Sequence, residues 1–383
     1  LQTTYHTIKP GSIESTDTAS FMTPLKYPDN HGIESAVFIS NEQKVGNRLT
    51  LIYGLRFSFF QNIGKGVLYH YDEEYNVTDS SVYKGGKIFN TFSSLEPRIN
   101  LRYAINEKSS VKASYNRTAQ YLQLASNSTA TFPLDMWFMS NPNVKPQKAD
   151  QVALGYFRNF MDNSIEVSGE LFYKKIYNAI DFKDHAVLAP QQYLEGELRI
   201  GSARSYGAEL LARKQNRKLT GWISYAYIRT FRKISAINRG KEFSPTYDKP
   251  HNISIVVNYE ISKRFDAGLN WVYSTAIPVT VPTAGYYYNN IWVPQYSERG
   301  GTRIPGTAYH RLDFSLNYYF RTFKQESNLN LSIYNVYSRH NAFAIYFRDK
   351  NLDADSKGGE TGVEVVKLYL FPIVPAITYN IKF

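Results

Sequence analysis

The chain has 383 residues with a formal net charge of +11, 32 Tyr, 23 Phe and no Cys. The missing cysteine excludes disulfide frameworks and thiolate metal sites. Lys and Arg are scattered, without the dense basic run of a nucleic-acid footprint, and no stretch approaches the roughly 18 apolar residues of a membrane-spanning helix, which says nothing against membrane strands.

In chain order, the segment 1–31 is polar, carries Pro10, Pro24 and Pro28, and reads as loop. Gly32–Gln43 is a weak strand candidate, followed by a turn at Lys44–Asn47. Arg48–Phe59 alternates clearly. Leu49, Leu51, Tyr53, Leu55, Phe57 and Phe59 fall on one face, and Arg48, Thr50, Gly54, Arg56 and Ser58 on the other, with Ile52 the exception. Period-two alternation is the signature of a strand with one apolar and one polar face.

The same rhythm continues through the chain. Leu95–Ile105 and Val111–Thr118 are joined by the turn Asn106–Ser109, and Val152–Phe160 and Ile165–Tyr177 by Met161–Ser164. Tyr206–Ala212 and Leu219–Ile228 flank a basic turn at 214–218. Asn252–Ile261 and Phe265–Tyr273 flank Ser262–Arg264. Arg311–Phe320 and a strand from Leu329 to about Phe347 flank Thr322–Asn328. The chain ends on an alternating strand in which Ile377, Tyr379, Ile381 and Phe383 share the apolar face.

Loops of roughly 15–32 residues thus alternate with turns of roughly 3–7, the asymmetry of an outer-membrane barrel with long extracellular loops and short periplasmic turns. A soluble sandwich needs no such asymmetry. We count about thirteen strands back from Phe383, an odd number, whereas bacterial single-chain barrels have even ones. This predicts an all-β, antiparallel transmembrane barrel of which the chain is the C-terminal part: 1–31 an extracellular loop segment, 32–383 strands with short periplasmic turns and long extracellular loops.

From about Ser94 onward the chain resembles the C-terminal barrel of a TonB-dependent outer-membrane receptor of the kind found in Bacteroidota. The stretches that carry the resemblance are Leu95–Tyr103 (LEPRINLRY), Tyr247–Asn252 (YDKPHN), Tyr273–Pro278 (YSTAIP), Tyr309–Asp313 (YHRLD), Leu331–Tyr337 (LSIYNVY) and Leu370–Pro375 (LFPIVP), leading into the terminal aromatic strand. The resemblance implies a barrel of about 22 strands closed by a plug, with import driven through a TonB-binding segment. Neither plug nor TonB-binding segment is found in this sequence. It further implies that the terminal strand, with Tyr379, Ile381 and Phe383, is the signal read by the barrel-assembly machinery. Small nutrients (iron chelate, haem, cobalamin) rank above glycans or peptides taken up with a surface lipoprotein partner. A non-transporting subunit of a larger outer-membrane complex is the other alternative.

No catalytic, metal or cofactor pattern is present. The seven histidines lack paired ligand spacing, and His70 beside Asp72, Glu73 and Glu74 is more simply a solvated acidic loop. Ligand contact is expected from loop aromatics, which stack on flat rings and sugar faces: Tyr286, Tyr287, Tyr288, Trp292 and Tyr296 in one long loop, and Trp137 and Phe138 in another, with His70 a lesser candidate. The inward arginines Arg48, Arg56, Arg98 and Arg102 are expected to face the lumen and plug. Lipid is the expected surround, and nucleic acid is not an expected partner.

Overall fold

The computed structural model describes residues 1–9, 12–13, 25–26, 29–125, 136–186, 193–215, 218–288, 291–296, 299–349 and 363–382. Fourteen strands form one antiparallel sheet in strict chain order. Numbered along that sheet they are β1 (Gln2–Ile8), β2 (Asn30–Val45), β3 (Leu49–Ile63), β4 (Ile88–Asn106), β5 (Ser109–Gln120), β6 (Gln147–Phe160) and β7 (Ile165–Phe182). The series continues with β8 (Leu198–Lys214), β9 (Leu219–Lys233), β10 (His251–Ser262), β11 (Phe265–Ser274), β12 (Tyr309–Thr322), β13 (Gln325–Tyr334) and β14 (Val374–Lys382).

The short turns fall close to where the sequence placed them, except that the turn expected over Thr322–Asn328 tightens to two residues and Gln325–Asn328 joins the following strand. At 323–324 both central residues, Phe323 (φ 50°) and Lys324 (φ 69°), are left-handed, which matches the twist of a two-residue hairpin. The opposite ends of the strands run further than their alternation: β4 begins at Ile88 rather than Leu95, and β7 continues to Phe182. The extension of β7 is buried on both faces, Ala179, Ile180, Asp181 and Phe182 all being 9 % exposed or less, so alternation no longer marks it.

Three expectations are corrected. The segment 1–31 contains β1, whose residues Gln2–Ile8 pair with Asn30–Ala36. Among the described residues the sheet therefore has fourteen strands rather than about thirteen. β1 is hard to read because three of its four β-branched positions are threonines, Thr3, Thr4 and Thr7, which favour extended backbone without an apolar face. The stretch Leu329–Phe347 is not one strand. β13 ends at Tyr334, Asn335 turns left-handed (φ 56°), and Ala344–Asp349 pairs separately with Val363–Leu368. The long loops also hold further two-stranded ladders, among them Gly66–Tyr71 with Val77–Tyr83, Leu122–Ala125 with Met136–Met139, and Pro282–Tyr288 with Ile291–Tyr296.

The two faces differ as predicted. On the outer face Val152, Leu154, Leu171, Leu210 and Ile223 are each at least half exposed. Removing such side chains from water is worth roughly 1.5–3 kcal/mol each, and a row of them is stable only against lipid. The inner face is polar along its length. One lane runs Asp266–Asn317–Asn330, with Asn330 donating to Asn317 and Asn317 to Asp266, both at 2.7 Å. Apolar packing concentrates at the long-loop end. Phe60 stacks on Tyr121 at 5.2 Å and joins Met139. A second cluster gathers Ala125, Phe138, Val144, Ile180, Phe182, Leu194 and Leu198. The loops fold over the inner face there and make the mouth of the lumen.

Candidate functional site

The mouth is built on buried carboxylates, each paired with at least one arginine. At the end of β7, Asp181 lies 2.6 Å from Arg232 of β9 and 2.9 Å from Arg299 of the loop between β11 and β12. Arg299 also reaches Asp184 at 3.2 Å and donates to Lys183 O. In the loop before β10, Asp248 accepts from Thr230 N and from Arg303 at 2.5 Å, with Arg229 3.4 Å away. Arg303 also donates to Ala276 O. On β4 the carboxylate of Glu96 accepts from Arg56 (2.9 Å) and Ser58. Arg56 bridges on to Glu34 at 3.2 Å, and Tyr121 meets Ser58 at 2.8 Å. The carboxylates of Glu96, Asp181 and Asp248 are all 10 % exposed or less. Buried charges persist only when paired and hydrogen-bonded, and losing one partner is costly.

These pairs fix the aromatic loop. Arg299 and Arg303 hold its returning limb, and a bridge between Val279 and Thr302 closes its base. Gly300 lies between the two arginines at φ +65°, and a Cβ there would collide with Ser244 O. Only glycine fits that passage. Beyond the base the hairpin Pro282–Tyr296 projects, with Tyr286, Tyr287 and Tyr288 exposed by 52, 54 and 67 %. Tyr296 is less open, and burial raises its phenol pKa. The backbone of Trp292 pairs with Tyr287, while its side chain lies outside the described residues.

The neighbouring candidates separate. Trp137 is 52 % exposed and Phe138 is 7 % exposed. They are consecutive on one strand, so they point to opposite faces. Phe138 packs in the apolar cluster under the loops, edge-on to Phe182 at 6.4 Å, and offers no surface to a ligand. This corrects its assignment as a binding residue. Trp137 instead lines a polar recess of 160 Å³ with Gln120, Gln123, Leu124, Gln147, Ile180 and Arg232. Gln120 and Gln123 donate their amide N–H groups to Leu122 O and Lys145 O, which leaves their carbonyl oxygens as acceptors.

His70 shares a 2.8 Å hydrogen bond with Ser81. Asp72 accepts from the N–H groups of Asn76 and Glu74, which hold its carboxyl below the usual range. The segment is a closed turn, and among the described residues no group of three or more His, Asp or Glu could hold a metal ion. Of the inward arginines, Arg56 is committed to Glu34 and Glu96, whereas Arg48, Arg98 and Arg102 are exposed. On β14, Tyr379 donates to Thr322 (3.2 Å), and Ile381 pairs with Ser327 of β13. Phe383 lies outside the described residues.

Sequence reasoning missed Asp181, Arg232, Arg299 and Arg303, because the pairs they form join distant loops. It came nearest with Asp248, which stands inside a quoted motif. Five of the six motifs prove to be joints between strand ends. His251 N donates to Thr275 Oγ1 and Thr275 N to His251 O. Asn335 N donates to Asp313, and the Asn335 side-chain amide lies within 3.2 Å of Arg339 O, Phe371 O and Pro372 O.

The family model for a TonB dependent receptor-like β-barrel matches residues 2–336. No curated protein matches the chain by sequence. Among solved structures, the ferric-catecholate import receptor Fiu of E. coli K12 is similar at a TM-score of 0.57 and 14 % identity, over 94 % of this chain and 47 % of that one. The ferripyoverdine receptor of the outer membrane of Pseudomonas aeruginosa gives 0.53 and 14 %, over 84 % and 36 %. The FrpB iron transporter of Neisseria meningitidis gives 0.52 and 16 %, over 81 % and 42 %. The chain spans less than half the length of each, and at these identities the likeness is one of fold.

Proposed function

The chain belongs to the TonB-dependent receptor-like β-barrel family, and we propose that it captures a small nutrient, foremost an iron chelate, for uptake across the outer membrane. It is read as a receptor rather than an enzyme, with TonB driving passage. The observation that carries this reading is the anchoring of the base of an exposed tyrosine hairpin by Arg299–Asp181 and Arg303–Asp248. Pre-ordered aromatic rings bind without a large ordering cost. Tyr286, Tyr287 and Tyr288 offer flat faces to the rings of a chelate, and Trp137 a further one at the recess. Arg98 and Arg102, exposed on the inner face below, suit the oxygen-rich, anionic shell of ferric chelates. The solved relatives named above bear iron or ferric chelates in their descriptions, which supports the same class here.

A second reading, import of a glycan or peptide, draws on the amide acceptors of Gln120 and Gln123 beside Trp137. Titration of the intact receptor in detergent with a ferric catecholate, ferric citrate and a neutral oligosaccharide, followed by tryptophan fluorescence, separates the two. The chelate reading predicts saturable quenching by a ferric compound, with affinity lowered about tenfold, roughly 1.4 kcal/mol, when residues 283–295 are replaced by a short Gly-Ser turn. Saturation by the oligosaccharide alone would overturn it.

A further inference from the structure

The outer face of β5 to β9 is banded. One register row across these five strands reads Ala113, Leu154, Leu171, Ala208, Tyr227 and is apolar. Two residues nearer the loops the row reads Tyr115, Val152, Tyr173, Tyr206, Arg229; its three tyrosines are the amphipathic aromatics of a membrane boundary, and Arg229 is turned to Asp248 of the loop before β10. The next is Arg117, Asp150, Lys175, Arg204, Phe231, and the last Ala119, Lys148, Tyr177, Ser202, Lys233. At about 3.3 Å per residue the row of Arg117, Lys175 and Arg204 stands roughly 13 Å along the strands from the apolar one. That is headgroup depth.

The charge there is unbalanced. Five cations, Arg117, Lys148, Lys175, Arg204 and Lys233, face two carboxylates. Asp150 takes Arg117 through two bonds of 2.7 and 2.8 Å, and Glu242 takes Arg204 through bonds of 2.7 and 3.1 Å. Both arginine side chains stay more than 40 % exposed. Lys148, Lys175 and Lys233 form no ion pair among the described residues. At the short-turn end of the same strands the outer face carries only Arg158 and Lys214.

We propose that this outward basic cluster binds the phosphates of an anionic lipid headgroup in the loop-side leaflet, as a stoichiometric ligand rather than as bulk solvent. Aliphatic stems lie along the apolar wall while the charged ends reach the headgroup plane. The width selects among lipids. From β5 to β9 the cations span four strand spacings, about 19 Å. A single phosphate engages only part of that span, whereas a headgroup with two separated phosphates engages both ends, with the hydroxyls of Ser202 and Tyr177 between. The inference rests on the outer-membrane placement of the barrel and adds a site on its lipid side, away from the mouth.

The test uses the intact receptor in detergent and native mass spectrometry, titrating bisphosphorylated lipid A, its dephosphorylated form, phosphatidylcholine and inorganic phosphate. One bisphosphorylated lipid per protein is expected, with binding at least tenfold tighter than for the dephosphorylated form and no displacement by 10-fold excess inorganic phosphate. K148Q/K175Q/K233Q should weaken it about 100-fold, and Lys175→Gln alone about fivefold. R158Q/K214Q, at the opposite boundary, should leave it unchanged. Equal binding of the dephosphorylated lipid, displacement by free phosphate, or a triple variant within threefold of the parent overturns the proposal. Heat-dependent gel mobility reports folding separately: its loss in the triple variant passes the decision to Lys175→Gln, and its absence in the parent contradicts the barrel placement rather than the lipid site.

Discussion

The guanidinium of Arg299 lies 2.9 Å from the carboxylate of Asp181, 118 residues earlier in the chain. Through this pair the loop that carries Tyr286, Tyr287 and Tyr288 is tied to the end of β7. Asp181→Asn leaves Arg232 and Arg299 facing a neutral amide in a site where all three side chains are less than 20 % exposed. The expected cost is about 2–5 kcal/mol, felt as local opening. Hydrogen exchange should accelerate at least 30-fold across 276–304 while the sheet amides of β5 to β9 keep their protection. Gly300→Ala, forced to φ +65°, should give the same pattern at about 1–3 kcal/mol. Uniform loss of protection throughout would contradict the clamp.

Trp137 and Phe138 should part company on mutation. Phe138→Ala empties a buried site in the loop cluster and is expected to cost about 3–5 kcal/mol locally, raising proteolysis of the loops at 122–146 and 194–198. Trp137→Ala removes a half-exposed ring and should change protease sensitivity little, but weaken ferric-chelate binding about tenfold, roughly 1.4 kcal/mol. The reverse allocation would remove Trp137 from the site.

Glu195 makes the loop cluster sensitive to pH. Desolvation raises its carboxyl above the usual 4.5, although the Asn143 and Asn141 side chains, donating at 2.8 and 2.6 Å, oppose the shift. The folded loops thus bind this proton more tightly than the unfolded chain, so local stability rises as pH falls. The gain begins as pH drops through the raised folded value and is complete below 4.5. Exchange of amides 141–144, corrected for intrinsic rates, should slow across that window, and Glu195→Gln should abolish the slope. A slope of opposite sign would count against the assignment.

Asn335 joins the end of β13 to the approach of β14. It is fully buried, left-handed at φ 56°, and its side chain faces the carbonyls of Arg339, Phe371 and Pro372. Asn335→Ala loses the bonds and strains the backbone. Asn335→Gly restores the conformation alone. We expect the alanine variant to lose about 2–4 kcal/mol and the glycine variant roughly 1 kcal/mol less. The fraction of heat-shiftable barrel recovered from membranes checks the order.

Strand positions, the inner and outer faces and the side of each turn follow from the sequence, because alternation and turn chemistry act between residues a few positions apart. Arg48–Phe59 shows this: register keeps Leu49, Leu51, Tyr53, Leu55 and Phe57 on one face and puts Ile52 on the other with Arg56 and Ser58. β1 escaped because threonines make extended backbone without an apolar stripe, and the break at Asn335 escaped because apolar residues continue beyond it. The site was legible only in outline. Tyr286, Tyr287, Tyr288 and Trp137 stood out by residue type, but whether a loop aromatic faces solvent or core depends on what folds over it. Only the tertiary structure set Phe138 inward, brought Arg299 to Asp181, and aligned Arg117, Lys175 and Arg204 in one row. Those relations depend on register summed across several strands, and no local pattern in a chain carries such a sum.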